Sequence, residues 1–343
     1  MTAINPTTGL FEGTFALARA TDGDRVFNAL VRPSGEVVDI SRDYADTDSI
    51  YQDWDRTFDA LQSVNAKARS YERTVADLRL LAPTEKPQIF CAGSNYRQHA
   101  AEMYTYNEGS YQKERLPGES DSEFFERNLE FVVNKRAKGM PFIWLATYGS
   151  MVGPNDDVVL PPVGRTHDWE AELTVVLAGR SPRFMAPDEA HRYIAGYTIG
   201  NDMHTGDLFS RNDIKWNADW IAKQAPTFKQ VGPYVVPRQF IDDLDTLQIK
   251  LDVNGTTMQD WPAGDMIFGP DEYVAYASER LPLLPGDLLM MGSPPGNGGV
   301  RGQFLTSGDE MRIAITGLGH QHHRVVDEDT GDRKPFYGLP PFE

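Results

Sequence analysis

The segment His167-Asp-Trp-Glu-Ala-Glu-Leu-Thr-Val-Val-Leu-Ala-Gly179 is the most informative stretch of this chain, because it predicts both a core strand and a cluster of charge. Alternate side chains of a strand share a face, so Glu170 and Glu172 project together, opposite the apolar residues. Neighbouring like charges are unfavourable unless a cation or solvent separates them, and hard divalent cations prefer oxygen ligands. An edge strand with solvated acidic residues is the alternative, and it is the more frequent case for such a pair alone.

A third carboxylate strengthens the cation interpretation. The segment Gly196-Tyr-Thr-Ile-Gly-Asn-Asp202 reads as a neighbouring strand that ends in Asn-Asp. Three carboxylates and some waters suit octahedral Mg²⁺ or Mn²⁺. Zinc is not expected, because Cys and His do not occur at its ligand spacing.

A candidate base lies in Cys91-Ala-Gly-Ser-Asn-Tyr-Arg-Gln-His-Ala-Ala-Glu102. If this segment is helical from Tyr96 onward, His99 and Glu102 are three positions apart and touch on one face. A carboxylate then orients the imidazole and raises its basicity toward water. The alternative is an ordinary pair on a helix surface.

Two further segments suggest contacts to an anion. Lys223 lies among apolar residues, where a lysine is rare unless it is paired; the alternative is a surface lysine whose stem covers apolar neighbours. The loop Met291-Gly-Ser-Pro-Pro-Gly-Asn-Gly-Gly299 lacks the Gly-Lys-Ser/Thr ending of a phosphate loop. Its amides and the Ser293 hydroxyl suit a substrate carboxylate, against the alternative of a plain turn.

Composition excludes some classes of function. The 33 Lys and Arg residues against 50 Asp and Glu give a net charge of −17, which argues against nucleic acid as a partner. No apolar run approaches the length of a membrane span, and no secretory signal is recognisable, so we expect a soluble protein. Cys91 is the only cysteine, which fits a reducing cytoplasm.

The chain divides into a small N-terminal α/β domain (1–84), a catalytic domain (85–328) and a tail (329–343). Short apolar pieces between Asp-Gly and Ser-Gly turns predict strands near the start, and a helix is predicted from Asp53 to Leu81. The charged and aromatic insert 104–139 has helix formers concentrated in its second half, and inserts of this kind are lids, oligomer contacts or disordered segments.

Strands without a regular helix between each pair predict an α+β, β-rich domain rather than a doubly wound sheet. The dipeptide Asn254-Gly255 predicts a tight hairpin. The longer predicted strands are Glu170 to Leu177, Tyr193 to Ile199, Leu247 to Val253 and Asp287 to Met291.

Taken together, these segments resemble the fumarylacetoacetate hydrolase family. The resemblance implies a twisted, mixed β-roll catalytic domain, commonly dimeric, behind a small N-terminal domain. It is carried by motifs in the family's order: Gly93-Ser-Asn-Tyr-Arg-Gln-His-Ala-Ala-Glu102, Asp168-Trp-Glu-Ala-Glu172, Gly196-Tyr-Thr-Ile-Gly-Asn-Asp202, Lys223-Gln-Ala-Pro-Thr227, Val253-Asn-Gly255 and Pro285-Gly-Asp-Leu-Leu-Met-Met-Gly-Ser-Pro-Pro-Gly296.

The resemblance also implies roles for individual residues. It makes Glu170, Glu172 and Asp202 the ligands of Mg²⁺ or Mn²⁺, and it makes His99 and Glu102 a water-activating dyad on a lid helix. Lys223 would steady a substrate oxyanion. Four more residues fall at substrate-binding positions of the motifs: Ser293, Gly292, Thr227 and Tyr96.

This sequence departs from the family at two places. After Asn-Asp many members continue Ser-Ala-Arg-Asp and then a Gln, whereas Gly206 and Phe209 occupy the Arg and Gln positions here. The segment Phe142-Ile-Trp-Leu-Ala-Thr-Tyr148 stands where Phe-x-Lys-Pro is common. Both departures concern contacts to the substrate, and His204 or Arg211 are candidate replacements.

The implied activity is metal-dependent hydrolysis of a carbon–carbon bond in a 2,4-dioxo acid of the acylpyruvate type. Decarboxylation or keto-enol isomerisation of a 2-oxo acid on the same site is the alternative. A non-catalytic relative that binds a ligand is less expected, because the residues with implied roles are retained.

Overall fold

The computed structural model describes residues 3–67, 73–106, 115–211, 213–215 and 218–339, without the side chains of 135–137. These residues form a large mixed sheet, a smaller antiparallel-dominated sheet, a two-stranded ribbon and a few helices. The predicted α+β, β-rich class is confirmed.

Strands account for most of the regular structure. In the described part of the chain they are β1 (Ala16–Thr21), β2 (Val26–Val31), β3 (Val37–Asp39), β4 (Arg79–Leu81), β5 (Ile89–Ala92), β6 (Ile143–Ala146), β7 (Met151–Val152), β8 (Val158–Leu160), β9 (His167–Asp168), β10 (Ala171–Leu177), β11 (Ile194–Asp202), β12 (His204–Thr205), β13 (Lys229–Pro237), β14 (Gln248–Val253), β15 (Thr256–Pro262), β16 (Leu288–Met290), β17 (Glu310–Ile315) and β18 (Gly319–Asp327).

Helices are fewer, and most are short. The described α-helices are α1 (Thr47–Tyr51), α2 (Trp54–Ala66), α3 (Arg97–Tyr106), α4 (Asp121–Lys138), α5 (Pro187–Ala190), α6 (Gly206–Phe209), α7 (Pro270–Ser278) and α8 (Gly298–Arg301). Single 3-10 turns span Val75–Asp77, Tyr148–Ser150, His191–Tyr193, Trp220–Lys223, Arg238–Phe240 and Leu244–Thr246. Among the residues that the structure describes, no helix combines the length and apolar character needed to cross a bilayer.

The large sheet places β10 at its centre. Its strand order is β3-β2-β1-β13-β11-β10-β16-β5-β6, with β4 on β1 and β7 on β13. Every residue of β10 is buried, and the two faces of the strand contribute to two different apolar clusters, Leu173 and Val175 to one and Val176 to the other. An edge strand with solvated acids is therefore excluded for this segment.

The N-terminal strands join the same sheet. β1 pairs antiparallel with β13, with Leu17 opposite Val235. The sheet is therefore continuous across position 84. The domain boundaries drawn from the sequence stay predictions.

One sequence-based helix is wrong in its second half. The structure ends α2 at Ala66, and Arg79–Leu81 is a strand that pairs with β1, with Leu80 opposite Ala20. The predicted helix also spans residues 68–72, which lie outside the described residues. The apolar pair Leu80-Leu81 buries more apolar surface by pairing with β1 at the edge of the sheet than it would by extending a helix whose exposed face is polar.

The hairpin and the helical half of the insert are confirmed. Asn254 (φ 50°) and Gly255 (φ 77°) connect β14 to β15 with left-handed backbone at both positions, as a two-residue turn of this type requires. The insert contains α4, which contacts α3 through Asn128 Nδ2 and Thr105 Oγ1 at 3.0 Å. Residues 107–114 of the insert lie outside the described residues.

Candidate metal centre and active site

Three carboxylates meet where β10 begins and β11 ends. These strands are antiparallel, and the Asp202 backbone N–H donates to the Glu170 carbonyl at 2.9 Å, so Asp202 lies beside the Glu-x-Glu pair. One ligand atom from each of Glu170, Glu172 and Asp202 lies within 4.8 Å of the others. We call these residues the acidic triad.

The acidic triad is almost closed to solvent. The side chains of Glu170 and Asp202 are 12% and 2% exposed, and Glu172 is 1% exposed. Burial of three anions is costly unless cations or donors compensate them. Glu172 Oε2 accepts the Gly292 N–H at 2.8 Å, and burial together with Asp202 and Glu170 raises the pKa of Glu172.

Lys223 bridges two members of the acidic triad. It ends the 3-10 turn Trp220–Lys223, and its Nζ donates to Glu170 Oε2 at 2.6 Å and to Asp202 Oδ2 at 2.9 Å. Burial opposes its charge, but the carboxylates of Asp202 and Glu170 outweigh burial and raise its pKa. The surface-lysine alternative is excluded, because this side chain is 9% exposed and paired with buried acids.

A second lysine at the site was missed from the sequence. Lys229 is fully buried at the start of β13, and its Nζ lies 2.7 Å from Asp202 Oδ1. The same Nζ donates to the Lys223 carbonyl at 2.5 Å, which ties the two lysines together. The available signal was a lysine at the start of a mostly apolar strand, since lysines are rarely buried without a partner.

The donor set fits a hard divalent cation. The acidic triad offers only carboxylate oxygens, the preferred ligands of Mg²⁺ and Mn²⁺. Once all three carboxylates are ionised, as ligation of a cation requires, the two ammonium groups of Lys223 and Lys229 leave one negative charge for the cation to balance. The predicted ligand cluster is therefore assembled, and it suits a divalent metal.

His99 and Glu102 lie on α3 but do not pair. Within the described chain, buried His99 Nδ1 and Glu102 Oε2 have no hydrogen-bond partner. Burial lowers the pKa of His99 to about 4, and the charges of Glu170 and Lys223 also act on it. Burial raises the pKa of Glu102. No hydrogen bond between the two side chains is present among the described residues, and their dyad role stays a prediction.

The predicted substrate-binding residues separate into two groups. Gly292 contacts the acidic triad, and its neighbour Ser293 accepts a hydrogen bond from Gln259 Nε2 at 2.9 Å. The hydroxyls of Tyr96 and Thr227 serve the fold instead: Tyr96 donates to the Ala263 carbonyl at 3.0 Å, and Thr227 Oγ1 accepts the Val159 N–H at 2.8 Å. Contacts of these residues to a substrate stay predictions.

The two candidate replacements for the missing Arg differ in position. His204 Nδ1 lies 3.3 Å from Glu170 Oε1, so His204 belongs to the site. Arg211 is held by Asp213 at 2.6 Å and by Asp219 at 3.0 Å. His204 is therefore the better placed of the two.

Comparisons with known proteins agree with this architecture. The family model described as fumarylacetoacetate (FAA) hydrolase C-terminal matches residues 88–326. The chain is 31% identical over 254 residues to the oxaloacetate tautomerase Fahd2a, mitochondrial, of Rattus norvegicus, a match that covers 73% of this chain and 70% of that protein. It is 38% identical over 190 residues to a 2,4-didehydro-3-deoxy-L-rhamnonate hydrolase of Sphingomonas sp. (strain SKA58), which covers 54% of this chain and 65% of that enzyme.

A solved structure shares the fold. Maleylpyruvate hydrolase from Sphingobium sp. SYK-6, in complex with manganese(II) and pyruvate, superposes with a TM-score of 0.66 at 23% identity and covers 92% of this chain and all of that one. At this identity the likeness shows the fold alone. The extent of the family match, over the segment that holds the acidic triad and both lysines, shows that the chain belongs to the fumarylacetoacetate hydrolase family.

Proposed function

We propose that this protein is a divalent-metal-dependent enzyme that hydrolyses the carbon–carbon bond between C3 and C4 of a 2,4-dioxo acid. The observation that carries the proposal is the buried acidic triad with Lys223 donating to two of its members. Acids and a paired lysine so thoroughly removed from water are expensive to maintain, and such arrangements are typical of catalytic sites.

Glu170, Glu172 and Asp202 would hold Mg²⁺ or Mn²⁺. When bound, a divalent cation supplies Lewis acidity, which draws electron density from carbonyl oxygens. The Gly292 N–H holds Glu172, and Lys229 holds Asp202, so two of the three carboxylates have fixed orientations before any ligand arrives.

His99 is the proposed general base. Because burial lowers its pKa to about 4, its imidazole is neutral at physiological pH and able to accept a proton. Nδ1 would take the proton of a water molecule whose oxygen attacks C4. Breaking the C3–C4 bond then leaves its electron pair on C3 as an enolate, which recovers the proton from His99, and the products are a 2-oxo acid and a carboxylic acid.

Lys223 would stabilise the negative charge that develops on the C4 oxygen. Its ammonium is the donor that bridges the acidic triad, and an ammonium in a site of low polarity stabilises an oxyanion strongly. His204, beside Glu170, is the proposed contact to the substrate carboxylate in place of the Arg that Gly206 replaces.

Keto-enol isomerisation of a 2-oxo acid is the second candidate, and decarboxylation would need the same enolate. Isomerisation is favoured by the likeness to an oxaloacetate tautomerase over 73% of the chain and by the absence of a His99–Glu102 hydrogen bond among the described residues. Isomerisation requires only a base that moves a proton to or from C3, so it does not need a dyad that activates water. A non-catalytic binding protein is less well supported, because the acidic triad and both lysines are present together.

The test is a screen of 2,4-dioxo acids with Mg²⁺ or Mn²⁺, followed at the absorbance of their enol and by product analysis. Hydrolysis predicts loss of absorbance with one 2-oxo acid and one carboxylic acid formed per molecule consumed, and it predicts that EDTA stops the reaction. An absorbance change without cleavage products supports the isomerase. No change with either metal would refute both activities. A homodimer and a cytoplasmic location stay predictions.

A further inference from the structure

Four aromatic rings gather beside the proposed oxyanion-binding lysine. The Trp220 ring centroid lies 5.5 Å from that of Phe142, 5.1 Å from that of Trp144 and 4.9 Å from that of Phe209. We call these four side chains the aromatic wall. They come from three separate segments: β6 with the residue before it, α6, and the turn that ends in Lys223. These segments are distant in sequence, so it is the fold that brings the four rings together.

Backbone and amide contacts hold these segments in place. The Asp219 N–H donates to the Phe209 carbonyl at 2.8 Å, which fixes α6 against the Trp220 turn. Gln224 follows that turn, and its Oε1 accepts the Thr147 N–H at 2.9 Å just after β6. The aromatic wall is therefore a built feature of the site rather than a chance contact of loose side chains.

The aromatic wall lies next to the two lysines of the proposed active site. Lys223 Nζ lies 5.3 Å from the Trp144 ring centroid, and Lys229 Nζ lies 5.6 Å from it. Trp144 is 7% exposed and is the most buried ring of the aromatic wall, whereas Phe142 is 46% exposed. Phe209 and Trp220 are partly exposed. A substituent on a carbonyl carbon whose oxygen contacts Lys223 lies within reach of these rings.

Three cations near the acidic triad and the aromatic wall, Arg211, Lys223 and Lys229, are already paired with carboxylates. Arg211 follows Phe209 by two residues and is already held by Asp213 and Asp219. Lys223 and Lys229 are bonded to the acidic triad. A carboxylate at the far end of the substrate would thus lose water against aromatic rings and would have to compete with these carboxylates for Arg211, Lys223 or Lys229, which is unfavourable.

Resting on the proposed function, we propose that the substrate is a 2,4-dioxo acid whose acyl group is flat and apolar, such as an aryl group, and that Phe209 and Trp220 determine this specificity. Ring-on-ring contact adds to the burial of apolar area and favours a planar group over a chain that ends in a charge.

Calorimetry of the Mn²⁺-loaded protein tests this with three 2-oxo acids that lack a 4-carbonyl and are not cleaved: pyruvate, 2-oxo-4-phenylbutanoate and 2-oxoglutarate. We expect the phenyl compound to bind about tenfold more tightly than pyruvate, and 2-oxoglutarate to bind no more tightly than pyruvate. Phe209→Gln should remove most of the phenyl preference by lowering the affinity for the phenyl compound relative to that for pyruvate. Phe142→Ala is the second variant if Phe209→Gln unfolds, and Phe184→Ala, which removes an aromatic ring that is 72% exposed and lies outside the aromatic wall, is the control.

The outcomes separate the two proposals. The inference is overturned if 2-oxoglutarate binds more tightly than the phenyl compound, or if the phenyl preference survives both Phe209→Gln and Phe142→Ala. In either case the proposed function stands as long as pyruvate binds. If pyruvate does not bind to the Mn²⁺-loaded protein at all, the proposed function fails and this inference fails with it.

Discussion

Glu172 shows how closely charge is balanced at a single residue of this site. It is 1% exposed and accepts the Gly292 N–H, and among the described residues it forms no ion pair with a lysine, whereas Glu170 and Asp202 both contact Lys223. Of the three carboxylates it therefore has the most to gain from a bound cation. The substitution Glu172→Gln keeps the shape and removes the charge.

We expect Glu172→Gln to abolish Mn²⁺ binding in calorimetry while the far-UV circular dichroism spectrum is unchanged. The physical reason is the loss of one anionic ligand from a set of three hard donors. Asp260→Asn, on an exposed position of β15, is a matched carboxylate control and should bind Mn²⁺ normally. Unchanged affinity in Glu172→Gln would remove the metal assignment.

Lys229 compensates the buried charge of Asp202. The substitution Lys229→Met keeps an unbranched apolar side chain of similar length but removes the ammonium group that lies 2.7 Å from Asp202 Oδ1. Breaking one partner of a buried ion pair typically costs about 3 kcal/mol, so the free energy of unfolding in EDTA should fall by roughly that amount. Saturating Mn²⁺ should recover part of the loss, because the cation binds the folded state and offsets the charge.

Urea denaturation with EDTA and with Mn²⁺ measures this effect. Lys250→Met, at a side chain that is 47% exposed, serves as the control and should change little. Equal stability of wild type and Lys229→Met in EDTA would show that Lys229 does not compensate Asp202.

The pH dependence of turnover reports on His99. Its pKa is lowered to about 4 by burial, so the ring is neutral above that pH and gains a proton only as the pH falls through it. The kcat measured at saturating Mn²⁺ should therefore show no acid limb with a midpoint near the ordinary histidine pKa of about 6.5. A midpoint near 6.5 that disappears in His99→Gln would contradict the buried, neutral base.

Alternation along a strand was enough to predict that Glu170 and Glu172 share a face, whereas Asp202 was added because a second predicted strand ends there. Lys229 escaped notice since its partner Asp202 lies on the neighbouring strand β11, and only the register brings the two together. The missing His99–Glu102 contact has a similar cause. Helical spacing places two side chains on one face, but rotamers and packing decide whether they touch.

At the scale of elements, α3 and α4 pack against each other. His99 lies on α3, and Tyr104 and Phe131 join the two helices with ring centroids 5.6 Å apart. Val132 of α4 is fully buried, whereas Val133 is 49% exposed, so one side of α4 is packed and the other is available. Any motion of α3 that moves His99 relative to the acidic triad must also move α4.

We expect hydrogen exchange in α3 and α4 to slow when Mn²⁺ and oxalate bind, because closure over a ligand tightens a lid. Exchange in α7, a helix that belongs to the apolar core, is the internal reference and should not change. Identical, strong protection of α4 with and without ligand would instead support a permanent oligomer contact for the insert.

Some elements were predictable because local chemistry fixes them. The Asn254-Gly255 turn needs two left-handed residues, and α4 is rich in helix formers, so both followed from composition. Arg79–Leu81 could not be assigned this way. Three residues carry no periodicity, and this strand exists only because β1 offers an open edge.

At the scale of the whole molecule, one sheet connects the N-terminal strands to the strands that carry the acidic triad. The order β1-β13-β11-β10-β16 places Lys229, Asp202 and Glu172 on three adjacent strands. The strand order is set by long-range pairing rather than by local sequence. The class of fold was therefore predictable, and the resemblance implied the β-roll, while the continuity of the sheet across position 84 required the structure.

The central claim is that a divalent cation binds in the acidic triad, and anomalous diffraction from crystals grown with Mn²⁺ and oxalate tests it most directly. We predict one strong manganese peak per chain between the carboxylates of Glu170, Glu172 and Asp202, with oxalate beside it on the side of Lys223. Crystals of Glu172→Gln should lack the peak. A map of the wild-type protein without a peak at these three residues, or with manganese bound only elsewhere, would contradict the account.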